Sequence, residues 1–119
     1  MEKKGCEVEI ILRTEGAVTI VAISGNLDGS TAAGAQEKII PLLTEGCRLV
    51  FDMEQCEYIS SAGLRLLLVI AKHLEKVGGA GTFASLTQQT VDVMAMTGFD
   101  NIFTSYASVA EAVNSIAKV

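Results

Sequence analysis

The sequence predicts an α/β fold: a mixed sheet of four to five strands, largely parallel, covered by about four helices. Three observations carry that expectation. After an opening pair of strands, short β-rich segments alternate with segments of helical apolar periodicity, an order that lays helices over a mostly parallel sheet. Half of the residues are apolar and only 5% are aromatic, which suits a compact core of Val, Ile, Leu and Ala. The length of 119 residues fits one domain and leaves no room for a second, so residues 1–119 are read as a single unit.

The elements follow in order. Glu7 to Arg13 (EVEIILR) sets Val8, Ile10 and Leu12 against Glu7 and Glu9, the alternation of a strand with one face toward water. Glu15-Gly16 makes a turn, and Ala17 to Ser24 (AVTIVAIS) is a second strand close enough to form a hairpin. Asn26 to Thr31 (NLDGST) is a loop by composition, and Ser30 or Thr31 is placed to cap the helix after it. Ala32 to Glu45 is helical in pattern, with a kink or break expected at Pro41, where the chain loses a backbone donor. Arg48 to Asp52 (RLVFD) is the short apolar run of a strand buried on both faces.

A loop from Met53 to Ser60 leads into the clearest helix, Ser61 to Val77, which Gly78-Gly79 ends. Leu64, Leu67, Leu68, Ala71 and Leu74 form its expected core stripe. Arg65, Leu66, Val69, Ile70 and Lys72 occupy the rest, so the helix either packs on a second side or offers an apolar face to a partner. Thr82 to Leu86 is a strand, and Gln88 to Met96 a helix with Val91, Met94 and Ala95 inward. Ile102 to Tyr106 reads as a last strand. Val109 to Ala117 is a last helix with Val109, Ala112, Val113 and Ile116 as its stripe.

Composition excludes several functions. The net charge is −5 and no basic stripe is present, which argues against nucleic acid, whose phosphates require clustered positive charge. Cys6, Cys47 and Cys56 are odd in number, lack CxxC spacing and gain no zinc pattern from the lone His73. They read as reduced thiols of a cytoplasmic protein, and no metal or cofactor is expected. The opening MEKKGCEVEI lacks the apolar centre of a signal peptide, and the run 66–71 is too short to span a bilayer.

Chemistry concentrates in two loops. In α/β folds, ligands and partners gather where strands end and loops lead into helices. NLDGST and EQCEYISSAGL occupy such places. Ser60 and Ser61 stand at the start of an apolar helix whose first N–H groups lack intrahelical partners. Ala62 and Gly63 leave the backbone open to approach. Such a terminus accepts an anion, including a phosphate on Ser61, and Arg65 lies one turn further in. Helix capping alone would also explain an isolated Ser-Ser-x-Gly.

The surrounding residues carry a resemblance. The segment from Val50 through Tyr58-Ile59-Ser60-Ser61-Ala62-Gly63-Leu64 to Val69 resembles the STAS domain of bacterial anti-sigma factor antagonists. Gly25-Asn26-Leu27-Asp28-Gly29-Ser30-Thr31-Ala32 is similar to that family's Gly-x-Leu-Asp loop. The stretches Gly78 to Phe83 and Met96 to Phe103 follow in the family's order. The resemblance implies that Ser61 is a phosphoacceptor, with Ser60 as the alternative. It implies a non-enzymatic partner switch: the unphosphorylated chain binds an anti-sigma factor serine kinase, phosphorylation releases it, and a serine phosphatase reverses the change. The contact surface would comprise Asp28, Ser30, Thr31, Ser60, Ala62, Gly63, Arg65, Leu66 and Val69. Ser60 stands where the family often has Asp, and Ala62 where a second serine is common.

Other readings are weaker. STAS-like modules also serve as scaffolds or sensing domains, but no phosphate loop of the G-x-x-x-x-G-K type occurs here. A phosphoaspartate receiver would need acidic residues after its first strand, where this chain has Thr14-Glu15-Gly16. A serine hydrolase would need histidine within reach of Ser61, and His73 lies twelve residues along the same helix.

Overall fold

The computed structural model describes residues 8–117. Among these the chain forms β1 (Glu9–Glu15), β2 (Val18–Ser24), α1 (Ala32–Ile39), β3 (Arg48–Asp52), α2 (Ser61–Val77), β4 (Ala80–Ala84), α3 (Gln88–Thr97), β5 (Ser105–Tyr106) and α4 (Val109–Ala117). Short 3-10 turns occupy Ile40–Leu42 and Phe99–Asn101. The five strands lie side by side in sequence order. β1 is antiparallel to β2, and β2 through β5 are parallel to one another. This is the mixed α/β sheet that the sequence predicts. Because β2 and β3 run the same way, the loops that leave them emerge along one rim.

The pleat sorts the strand residues onto two faces. On one face Val21, Ile23, Leu49, Phe51 and Phe83 meet Leu66, Leu67, Ile70 and Leu74 of α2, with Ala35 and Ile39 of α1 and Met94 of α3 in the same cluster. Phe83 anchors it, edge-on to Phe51 at 5.9 Å and tilted against Phe103 at 4.7 Å. Such pairs add to simple area burial. On the other face Val18, Ile20, Val50 and Ala84 pack against Ala112 and Ile116 of α4. The stripe expected for α4 is the one it buries.

Other helices differ from expectation in rotation or length. The segment expected as helix from Ala32 to Glu45 is helical only to Ile39. The 3-10 turn Ile40–Leu42 then takes in Pro41. Proline lacks the N–H for the next helical bond, so the α-helical ladder stops there although Ile40 itself keeps helical dihedrals (φ −54°, ψ −41°). On α2 the buried set is Gly63, Leu66, Leu67, Ile70 and Leu74. Leu66 therefore belongs to the core at 3% exposure, and Leu68, expected there, is 37% exposed. Leu64 and Ala71 are half-buried against the cluster. Both stripes obey helical spacing because nearly every position from 64 to 71 is apolar, so periodicity could not choose between them. On α3, Thr90 and Met94 are buried, while Val91 and Ala95 are exposed.

Strand limits shift for local reasons. β1 runs on to Glu15, its ladder closing on the turn at Gly16-Ala17. The expected start of that strand at Glu7 lies outside the described residues, as does Cys6. β4 begins at Ala80 and ends at Ala84, because Ser85 turns to a left-handed φ of 61°. β5 is reduced to Ser105–Tyr106, since Phe99–Asn101 coil and Phe103 packs inward on Phe83.

The rotation of α2 is testable by urea denaturation. Leu66→Ala should cost about 2–5 kcal/mol of unfolding free energy. Leu68→Ala should cost no more than about 1 kcal/mol, because much of its side chain already meets water.

Candidate functional site

The two loops singled out in the sequence are joined through their backbones. The Gly25 N–H donates to the Gln55 carbonyl at 3.1 Å, and the Leu27 N–H to the Tyr58 carbonyl at 2.9 Å. The Ser60 N–H returns a bond to the Leu27 carbonyl at 2.8 Å. Leu27 and Ile59 thus form a short parallel bridge beyond the ends of β2 and β3, with both side chains buried. Asp28 lies one residue past this bridge and Ser61 two residues past it, on the same rim.

Gly63 permits the arrangement. A Cβ on it would lie 2.7 Å from the Leu27 carbonyl oxygen, 2.8 Å from Ile59 Cγ2 and 2.9 Å from Leu27 Cβ. Only a residue without a side chain lets the first turn of α2 settle this close to the bridge.

The two serines at the helix start have different surroundings. Ser60 is the cap: its backbone is extended, and its Oγ accepts from the N–H groups of Ala62 at 3.2 Å and Gly63 at 3.4 Å. It thereby satisfies two of the donors that a helix start leaves open. Ser61 is the first residue of α2 and is exposed, and its hydroxyl is bonded to none of the described residues. Arg65 is exposed one turn further on. Ala62 is half-buried, as is Val69, which lies beside Lys72, His73 and Lys76.

The loop before α1 is held by its own side chains. The Asp28 carboxylate accepts from the Ser30 N–H at 2.9 Å and from the Ser30 hydroxyl at 2.7 Å. These bonds, the hydroxyl's first, hold its carboxyl below the usual carboxylate range, with slight desolvation opposing them. The Thr31 hydroxyl donates to the Asn26 carbonyl at 2.6 Å and accepts from the Asp28 N–H at 3.0 Å.

The structure corrects part of the expected contact surface. Asp28, Ser30, Ser60, Ser61, Ala62, Arg65 and Val69 retain exposed surface along or near the rim. Thr31, Gly63 and Leu66 are buried. Thr31 locks the loop, Gly63 seats the helix and Leu66 fills the core, so none of these three offers a side chain to a partner.

Sequence reasoning missed the bridging roles of Leu27 and Ile59, and it missed Tyr58. Tyr58 is 49% exposed and opens onto a cleft of about 210 Å³ lined also by Glu57, Gln89, Asp92 and Val93. A lone aromatic in a polar loop was the available signal. The features of the rival readings lie elsewhere. Asp52 Oδ1 accepts from the Glu54 N–H at 3.2 Å, and among the described residues no group of three or more acidic, His or Cys side chains is placed to hold a metal ion. His73 stands about 18 Å along α2 from Ser61, by the rise of a helix. Burial keeps the Cys47 and Cys56 thiols above their ordinary pKa, and both are free. No helix among the described residues is long and apolar enough to cross a membrane.

Thermal or urea unfolding should separate the two serines. Ser60→Ala removes the cap and should cost about 0.5–2 kcal/mol, while Ser61→Ala should stay within about 0.5 kcal/mol of wild type. Acid titration tests Asp28. Its pKa is lower folded than unfolded, so its stabilisation is complete above the unfolded value and is lost as pH falls through the folded one. Asp28→Asn should remove that part of the acid-induced loss, measured as unfolding midpoint against pH.

Comparison with known proteins gives this geometry its relatives. The family model of the STAS domain matches residues 9–112. A Bordetella bronchiseptica protein assigned as an anti-sigma factor antagonist, BtrV, is 32% identical over 85 residues, covering 71% of this chain and 73% of that protein. The anti-sigma-B factor antagonist of Bacillus subtilis is 28% identical over 82 residues, 69% of this chain and 75% of its own length. Among solved structures, the anti-sigma factor antagonist SpoIIAA in its unphosphorylated form superposes with a TM-score of 0.76 at 18% identity, covering 93% of this chain and 98% of that one. The phosphorylated form of SpoIIAA from Bacillus gives 0.68 at 19% identity, covering 91% and 99%. At these identities the structural correspondence is one of fold. The family match over most of the chain, together with the relative at 32% identity, shows that this chain belongs to the STAS domain family.

Proposed function

We propose that this chain is an anti-sigma factor antagonist whose partner is an anti-sigma factor serine kinase, bound while Ser61 is unmodified and released when Ser61 is phosphorylated. A serine phosphatase would restore binding. The observation that carries the choice of residue is the division of labour at the start of α2. The Ser60 oxygen is occupied by two backbone donors, and Ser61 presents an exposed, unengaged hydroxyl. The names of the relatives support the class of partner, and SpoIIAA, solved both with and without phosphate, supports the type of switch.

In this reading residues 1–119 act as one cytoplasmic binding domain, and the kinase supplies the chemistry. The γ-phosphoryl group of ATP passes to Ser61 Oγ, whose proton leaves to the kinase's base. The product adds roughly −1.5 to −2 charge. The dipole of α2 favours that charge at its N-terminus, so the domain tolerates the phosphate without unfolding. A partner docked over the same rim meets it beside the anionic Asp28, where repulsion and desolvation oppose binding. Exposed Ser30 and Arg65 and half-buried Val69 would frame the contact, with Ser60 and Ala62 at its floor.

Incubation with the candidate kinase and ATP, followed by tandem mass spectrometry, should map phosphate to Ser61. Calorimetry should show Ser61→Ala binding like wild type and Ser61→Asp binding about a hundredfold or more weaker, the result of a few kcal/mol. Phosphate on Ser60 or elsewhere would refute the residue assignment. Equal affinity of wild type and Ser61→Asp would refute the switch.

A further inference from the structure

β1 is the outer strand on the antiparallel side of the sheet, and its ladder with β2 is continuous from Glu9 to Glu15. The two-residue connection at Gly16-Ala17 makes Glu15 and Val18 a hydrogen-bonded pair. Counting back by twos, Arg13, Ile11 and Glu9 also direct their backbone groups to β2. Those of Ile10, Leu12 and Thr14 therefore point away from the sheet. No loop or turn among the described residues bonds to them.

Natural edge strands are usually blunted by charged side chains, Lys above all, by Pro, by a bulge or by short length. The opposite edge, β5, has two residues. β1 has seven, with no Pro or bulge, and its charges are of both signs, Glu9, Arg13 and Glu15, so they bar some pairings and favour others. It also exposes one large apolar side chain on each face of the sheet, Ile11 at 51% and Leu12 at 48%.

We propose that β1 pairs antiparallel with β1 of a second copy of this chain, about a two-fold axis through Ile11. The charges of the strand choose both the occupant and the register. With the axis at Ile11, Glu9 of each copy lies opposite Arg13 of the other, on the same face as the Ile11–Ile11 contact. On the other face Ile10 lies opposite Leu12, twice. Cross-strand pairs of opposite charge and apolar pairs both stabilise a ladder. An axis at Leu12 would instead oppose Glu9 to Glu15 twice, and an axis at Arg13 would oppose Arg13 to itself. Glu9 and Arg13 are both exposed, and neither has an ion-pair partner among the described residues. The register at Ile11 also matches the outward backbone groups, because Ile10 and Leu12 become the hydrogen-bonded pair.

The result is one continuous sheet of twice five strands. Since the two copies run in opposite directions, their Ser61 rims lie at opposite edges of that sheet. A dimer built this way presents both rims at once, one toward each side.

Sedimentation equilibrium of the full chain, from about 1 to about 500 µM, tests the interface. Wild type should show a reversible monomer–dimer equilibrium in that range. Glu9→Arg and Arg13→Glu, each placing like charges opposite one another twice, should weaken it about tenfold or more. The double variant carrying both changes should return it to near wild type. Ile11→Lys, which sets two like charges on the axis, should abolish the dimer, and circular dichroism should show each variant folded. A wild type that stays monomeric throughout overturns the proposal. A dimer indifferent to the single reversals, or not rescued by the double one, belongs to another surface and overturns it too.

Discussion

Leu27 and Ile59 pair their backbones beyond the ends of β2 and β3, and Gly63 packs directly onto that pair. This close approach decides the position and rotation of α2. Once Gly63 faces the bridge, helical spacing carries Leu66, Leu67, Ile70 and Leu74 onto the sheet. The same constraint leaves the first turn of α2 at the surface, with Ser60 folded back over its N–H groups and Ser61 outside. A side chain at position 63 would push the helix off the bridge and disturb the core and the rim together.

The rim is thus preorganised by backbone bonds between its two loops and, within the loop before α1, by the Asp28, Ser30 and Thr31 side chains. Three interloop hydrogen bonds set the spacing of the loops. Ser30 and Thr31 satisfy Asp28 and the neighbouring backbone locally, so a carboxylate can sit there without a cationic partner. A surface of this kind suits recognition by a folded partner, because little ordering entropy remains to oppose docking. It also suits control by a single added charge, which changes the surface and leaves the scaffold beneath it in place.

Much of the fold was legible in the sequence. The alternation of β-rich and helical segments, the break at Pro41, the stop at Gly78 and the buried RLVFD strand all depend on residues within a few positions of one another. Position 78 takes a left-handed φ of 66°, the conformation that makes glycine a helix terminator. The candidate loops were visible for a similar reason, since Asp, Gly and Ser clusters announce turns and caps. Less was legible where apolar residues crowd together. In LRLLLVIA of α2 nearly every rotation offers an apolar stripe, and in NIFTSY (residues 101–106) composition does not separate a strand from a coil; here the stretch around Phe103 was claimed by Phe83.

By itself, the sequence determined the class of fold, the order of its elements and the two loops in which Asp28, Ser60 and Ser61 stand. Those features follow from local period, backbone chemistry and capping, which a short window of residues contains. Only the tertiary structure decided that Leu66 turns inward while Leu68 turns outward, that Thr31 is a lock, and that one of two adjacent serines spends its oxygen on the helix while the other keeps its hydroxyl in solvent. The physical reason is the contact between Gly63 and Leu27, thirty-six positions apart in the chain. Burial and rotation are set by such distant contacts, and no local pattern records them.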